Sequence, residues 1–206
     1  MRRRVTDRRY PIALVRAILA DHFRLTAADG ELYTHAQRCV FNAFDEAERY
    51  TGRVIVDSCV AFDIDSIDDT VIELPTAPVK RIDEIWYFDA SDNRCTLPAS
   101  GYRLVDDEHT AMLELSAVPT LSTHRRLGRL GILARAGYSD YVTAGEITCD
   151  DGIPLAGSIE QAVKLMAGTF FENEADVVLN THSAELPITA RRLLDAYRIT
   201  PYGTQY

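Results

Sequence analysis

Hydrophobic positions recur at steps of three and four over residues 32–50, where Leu32, Ala36, Cys39, Val40, Ala43, Phe44, Ala47 and Tyr50 draw one apolar stripe. The opposite face carries Glu31, Gln37, Arg38, Asn42, Asp45, Glu46 and Arg49, so the spacing predicts an amphipathic helix, with Gly52 supplying the left-handed residue that ends it. From there the period shortens. Runs rich in Val, Ile, Leu and Tyr at 54–56, 71–74, 82–88, 102–105, 112–115 and 130–136, each bounded by Asp, Asn, Gly or Pro, read as strands. Ser91, Asp92 and Asn93 read as a hairpin turn, and Pro75 with Pro78 as the loop after an edge strand. Such spacing suggests a small antiparallel sandwich or barrel.

Helical period returns after a polar stretch at 138–157. Ser158 is placed to cap a helix and Gln161 to reach back to it, with Ile159, Ala162, Val163, Met166, Ala167 and Phe170 as its buried stripe. A last helix starts near Pro187, with Ile188, Leu193, Leu194 and Tyr197 on its apolar side. The expected class is therefore α+β: a helical bundle of N- and C-terminal helices around a central antiparallel β-rich insert. The helical part spans residues 1–52 and 153–206, and the insert 53–152. No internal repeat or low-complexity segment interrupts this order. Two helical segments bracketing a β-rich middle suit assembly better than catalysis.

Charge refines the picture. The formal net charge is -9, yet Arg2, Arg3, Arg4, Arg8, Arg9 and Arg16 against Asp7 make the first sixteen residues +5 and leave -14 for the rest. Most of the chain should repel nucleic acid, whose affinity for proteins rests on Lys and Arg neutralising phosphates. Arg2, Arg3, Arg4, Arg8 and Arg9 are either candidate phosphate contacts or a frayed basic end. An export signal is not the reading of residues 1–20, because Arg16 interrupts the apolar run and Asp21 follows it; a surface helix fits better. No stretch approaches a membrane span. Cys39, Cys59, Cys95 and Cys149 are scattered, without metal or disulfide spacing, which suits a reducing cytoplasm.

Catalytic, cofactor and metal constellations are expected to be absent. His22, His35, His109, His124 and His182 are dispersed, and the chain has neither a Gly-rich phosphate loop nor a G-x-S-x-G elbow. Asp63, Asp65, Asp68 and Asp69 superficially resemble a calcium loop, but the sixth position is Asp68 rather than Gly and the twelfth is Leu74 rather than Glu. A solvated loop beside a sheet edge is the plainer reading. Glu172 and Glu174 oppose the dipole at the end of their helix, so either the helix continues past them or a partner's arginines hold them.

Several motifs, in order, resemble the head-tail connector (adaptor) proteins of long-tailed bacteriophages and the related gene transfer agents. Glu48-Arg49-Tyr50-Thr51-Gly52-Arg53 is similar to that family's "E-x-Y-T-G-R" helix end, Leu74-Pro75-Thr76-Ala77-Pro78-Val79 to its "L-P-x-x-P-V" link, and residues 82–89 to its "V-x-x-V-x-Y-x-D" strand. Tyr102-Arg103-Leu104 resembles "Y-R-V", Ala134-Arg135-Ala136-Gly137-Tyr138 resembles "Y-x-A-G-Y", residues 154–174 resemble the helix ending "Y-E-N-R-E", and Leu193-Leu194-Asp195-Ala196-Tyr197-Arg198 resembles "L-L-x-x-Y-R". The order, over residues 27–199, carries the likeness rather than any one motif. Phe171 stands where Tyr is usual, Ala175 where a basic residue is common, and the N-terminal arginines are outside the pattern.

The resemblance implies a virion neck protein, assembled in the host cytoplasm, repeated as a ring beneath the portal protein, with twelve copies expected. A stopper or tail protein would follow it, and DNA would pass through without sequence-specific binding. It places portal docking at the C-terminal end, with Tyr197, Arg198, Ile199, Tyr202, Gly203 and Tyr206 as candidate contacts, since tyrosine buries apolar area while keeping a polar tip. Two other classes remain. One is a DNA-binding packaging factor using the N-terminal arginines, and the other a metal-dependent hydrolase using Asp63 or Asp65.

Overall fold

A computed structural model of the chain describes residues 1–106, 110–138, 153–173 and 187–199. The chain divides into two compact units. Its class is α+β, as the periodicities indicate.

The helical unit holds Tyr10–Ile55 and the helices of the C-terminal part. Helix α1 (Ile12–Asp21) buries Leu14, Val15, Ile18 and Leu19. Helix α2 (Glu31–Thr51) buries Ala36, Cys39, Val40, Ala43, Phe44 and Ala47, the stripe expected from spacing. Burying each large member of that stripe contributes about 1.5–3 kcal/mol. Gly52 ends α2 at φ 74°, and its N–H donates to the Glu48 carbonyl at 2.9 Å. Helix α3 (Gly157–Glu172) packs on α2, and α4 (Ile188–Asp195) packs on α3 and α2.

Four local expectations are corrected here. Ser158 does not cap α3: the helix starts one residue earlier, with Ala156 at the cap position and no side-chain cap bond. The Ala156 carbonyl accepts the N–H groups of Ile159 and Glu160, while the Ser158 hydroxyl turns to Tyr197. Ile188 is 71% exposed, and α4 buries Ala190 and Leu194 instead, because the first helical position precedes the face that meets α3. Leu32, in the first turn of α2, is likewise exposed. Helix α3 stops at Glu172, where the Asn173 side chain donates to the Thr169 carbonyl at 3.0 Å, so it does not run on through Asn173. Glu174 lies outside the described residues.

The β unit holds Met1–Arg9 and Val56–Tyr138. Its strands are β1 (Arg2–Arg9), β2 (Asp57–Ile64), β3 (Val71–Leu74), β4 (Val79–Phe88), β5 (Arg94–Thr96), β6 (Tyr102–Asp106), β7 (Ala111–Leu115) and β8 (Leu130–Ala136). They form an antiparallel five-stranded sheet in the order β1-β2-β8-β4-β5 and a three-stranded sheet in the order β3-β7-β6. Val60, Phe62 and Ile64 of β2, Leu130, Ile132, Ala134 and Ala136 of β8, and Leu113 and Leu115 of β7 are buried. The expected turn joins β4 to β5: Asp89 accepts the N–H groups of Ser91 and Asn93 at 2.9 Å each, and Asp92 takes φ 64°. Pro75 follows β3, an edge strand.

Residues 2–9 depart from the expected helical segment. They form β1, pairing with β2 from Arg2↔Asp63 to Arg9↔Asp57 with an irregularity between Val5 and Arg8. An edge strand that is mostly exposed needs no apolar alternation, so periodicity could not show it, and its charges discourage pairing with foreign edges. Val54, Ile55 and Val56 are buried but are not a strand. The Ile55 N–H donates to a Glu48 carboxylate oxygen at 2.8 Å, tying that backbone to α2 rather than to a ladder. The strand begins at Asp57, and Asp63 lies within it rather than in a loop.

Candidate docking surfaces

In the helical unit, the residues around α4 form one connected cluster. Arg53, directly after the α2 cap, is 1% exposed and donates from Nε to the carbonyl of Tyr197. Its guanidinium carbon stands 5.7 Å from the centre of the Tyr197 ring, a cation–π distance. Ser158 donates to the Tyr197 hydroxyl at 2.9 Å. The Tyr50 hydroxyl donates to the Asp195 carboxylate, and Arg198 and Arg191 lie 5.1 and 5.9 Å from the Tyr50 ring centre.

Tyr197, a candidate docking residue, thus has carbonyl, ring and hydroxyl all engaged within its own unit. Its side chain is therefore held inside the unit rather than displayed. Arg198 is exposed and Ile199 half-buried. Tyr202, Gly203 and Tyr206 lie outside the described residues. Periodicity gives no sign of the part played by Arg53 and Ser158, which only the folded unit brings to Tyr197.

The N-terminal arginines do not converge. Paired residues on neighbouring strands share a face. Arg2, Arg4 and Arg9 therefore stand on the face of Asp63, Ala61 and Asp57, and Arg3 and Arg8 on the face of Phe62 and Ser58. Arg2 faces Asp65 at 3.7 Å, Arg9 faces Asp7 at 3.0 Å, and Arg3 donates to the Pro75 carbonyl at 3.1 Å. A phosphate would have to compete with these partners.

On the same sheet, Asp57 is the hub of a charged network. Arg135 donates to both its oxygens, and Lys80 donates to Oδ1 at 2.7 Å. Burial alone would raise the Asp57 pKa, but the bonds from Arg135 and Lys80 outweigh it and hold the carboxylate below its ordinary range. The Arg135 guanidinium is pushed up by its bond to Asp57. Asp92, in the β4–β5 turn, is also lowered, chiefly by Arg125.

Asp63 and Asp65 do not assemble a metal set. Among the described residues no group of three or more His, Cys, Asp or Glu side chains is placed to hold an ion. No helix among the described residues is long and apolar enough to cross a membrane.

No protein-family model matches the chain, and no curated protein sequence does. Solved structures do. A chain of the neck of an empty gene transfer agent (GTA) particle, computed with C6 symmetry, matches with a TM-score of 0.73 and 22% identity over 97% of this chain and 96% of that one. A chain from the virion of a native GTA particle matches at 0.71 and 22%, and one from the neck of a native GTA particle, computed with C12 symmetry, at 0.66 and 20%, with the same coverage. At these identities the likeness shows a shared fold across almost the whole length of both chains.

Proposed function

We propose that this chain is a structural protein of a virion neck: a head-tail connector, or adaptor, repeated as a ring beneath the portal protein. The observation that carries the reading is the fold match over 97% of this chain to chains of GTA particles, two of them from the neck. The C6 and C12 symmetries of those necks favour a ring of identical copies, and twelve is the number that the sequence resemblance implies. The ordered motifs over residues 27–199 point the same way independently of the coordinates. In this reading DNA passes through the ring without sequence-specific contacts, which agrees with a net charge of -9. The portal contact lies at the C-terminal end, beside the cluster in which Arg53 and Ser158 hold Tyr197. A stopper or tail protein would take the far side of the ring. The role is non-enzymatic, and its place is the virion neck after assembly in the host cytoplasm.

Co-expression with the portal protein of the same particle tests this reading. The two should co-purify as one assembly that survives gel filtration. A portal that elutes without this chain, at concentrations where each is folded, contradicts it.

A further inference from the structure

Helix α4 turns one uncovered stripe outward. Ile188, Arg191, Arg192 and Asp195 follow one another at three- and four-residue steps, so they lie along one face, and all four are exposed. The opposite side holds Ala190 and Leu194, which are buried. Arg198, just past the helix end, is exposed as well. Ile188 is 71% exposed, the largest share of any large apolar side chain among the described residues.

The three arginines hold no carboxylate of their own chain. Arg49, Arg94 and Arg103, also exposed, each pair with a glutamate. Arg191, Arg192 and Arg198 make no side-chain hydrogen bond or ion pair among the described residues, and Asp195 between them accepts from the Tyr50 hydroxyl. In a chain of 31 acidic and 22 basic side chains, residues 188–198 carry three arginines against Asp195, a local balance of +2. Two of the three are already placed, since Arg191 and Arg198 lie 5.9 and 5.1 Å from the centre of the Tyr50 ring. Side chains held in advance lose less freedom when a partner takes them.

We propose that this stripe seats on a carboxylate-bearing surface of the portal, with Ile188 as the apolar anchor and Arg191, Arg192 and Arg198 pairing with portal carboxylates. The inference rests on the portal reading above and adds the chemistry of the receiving surface. Unpaired guanidiniums would suit DNA phosphates as well, but phosphate contact has no use for an isoleucine offered on the same face. An apolar anchor flanked by arginines is the composition of a protein interface. Continuity favours the portal over a second copy, because the stripe leads into the chain end at which the sequence resemblance places portal docking. Guanidinium forks bind carboxylates in pairs of hydrogen bonds, and salt screens such contacts at a surface.

Binding of the full chain to immobilised portal rings, followed by biolayer interferometry, tests it on the wild type, R192E, I188S and R38E. R192E leaves the arginines beside Tyr50 in place, and circular dichroism checks that each variant is folded. R38E is the control of equal charge change: Arg38 is exposed on α2, with no hydrogen bond or ion pair among the described residues. Wild-type affinity should fall about tenfold or more between about 50 and about 500 mM NaCl. R192E and I188S should each weaken binding about tenfold or more at the lower salt, and R38E should bind as wild type does. Salt-independent binding by the wild type overturns the inference without recourse to a variant. So does a folded R192E that binds the portal normally, whether or not it has lost duplex DNA binding or self-association instead, or an R38E that loses as much as R192E. A wild type that never binds the portal removes the portal reading and the stripe together, whereas binding indifferent to salt and to Arg192 keeps that reading and strikes only the stripe.

Discussion

Arg53 and Tyr197 meet although 144 residues separate them, the guanidinium of the first donating to the backbone carbonyl of the second and lying against its ring. A charged side chain that is 1% exposed is costly unless its donors are used, so the arrangement is selective: it tolerates only a chain end that brings a carbonyl and an aromatic ring to this point. Replacing Arg53 by Met keeps the volume and removes the bond. R53M should lower stability by about 1.5–3 kcal/mol in urea unfolding. It should also speed cleavage by carboxypeptidase at the C-terminal end. Unchanged cleavage would show that Arg53 packs the helical unit without fixing the chain end.

Residues 200–206 contain two tyrosines and no charged side chain. Removing them should leave the chain folded and abolish attachment to the portal. Attachment at wild-type strength would move the docking surface elsewhere on the chain.

Asp57 links pH to stability. Its pKa is lowered in the folded state, so its contribution is present above the unfolded value of about 3.9 and is lost as pH falls through the lower, folded value. D57N should cost about 1–2 kcal/mol at pH 7, since Arg135 and Lys80 lose a charged acceptor in a partly exposed site. The variant should also lose less stability than wild type on going from pH 5 to pH 3. Parallel acid limbs in urea titrations would assign the acid sensitivity to other carboxylates.

Gly131 lies under the chain's single tryptophan. A Cβ built there would fall 2.2 Å from the Trp86 ring, while Arg94 stands 5.0 Å from the ring centre. G131A must lift the indole off the sheet, which should cost about 1–3 kcal/mol and red-shift Trp86 fluorescence. The W86A/G131A double variant should show a smaller penalty for the alanine than G131A in the native background. Equal penalties would mean that the strand backbone, not the ring, resists the change.

Much of this architecture is legible in the chain. The α2 stripe ends at Gly52 as its spacing requires, and β3 and β8 fall on the runs at 71–74 and 130–136, because buried helix faces and two-sided strands both leave strong apolar periods. The misses share a cause. β1 is held by backbone pairing at a solvent-exposed edge and carries arginines, and β2 contains Asp57 and Asp63, so neither shows a clean period of two. Ser158 matches a capping signature locally, but tertiary contact with Tyr197 claims its hydroxyl. The C-terminal cluster was legible only as a run of motif letters; that Arg53, Tyr50 and Ser158 converge on α4 is a property of the folded unit.

Electron microscopy of the purified chain mixed with the portal ring of the same particle tests the central claim most directly. The account predicts a second ring stacked coaxially on the portal, with density for the C-terminal end of each copy entering it. Portal rings that remain bare at high micromolar concentrations of folded protein would contradict it.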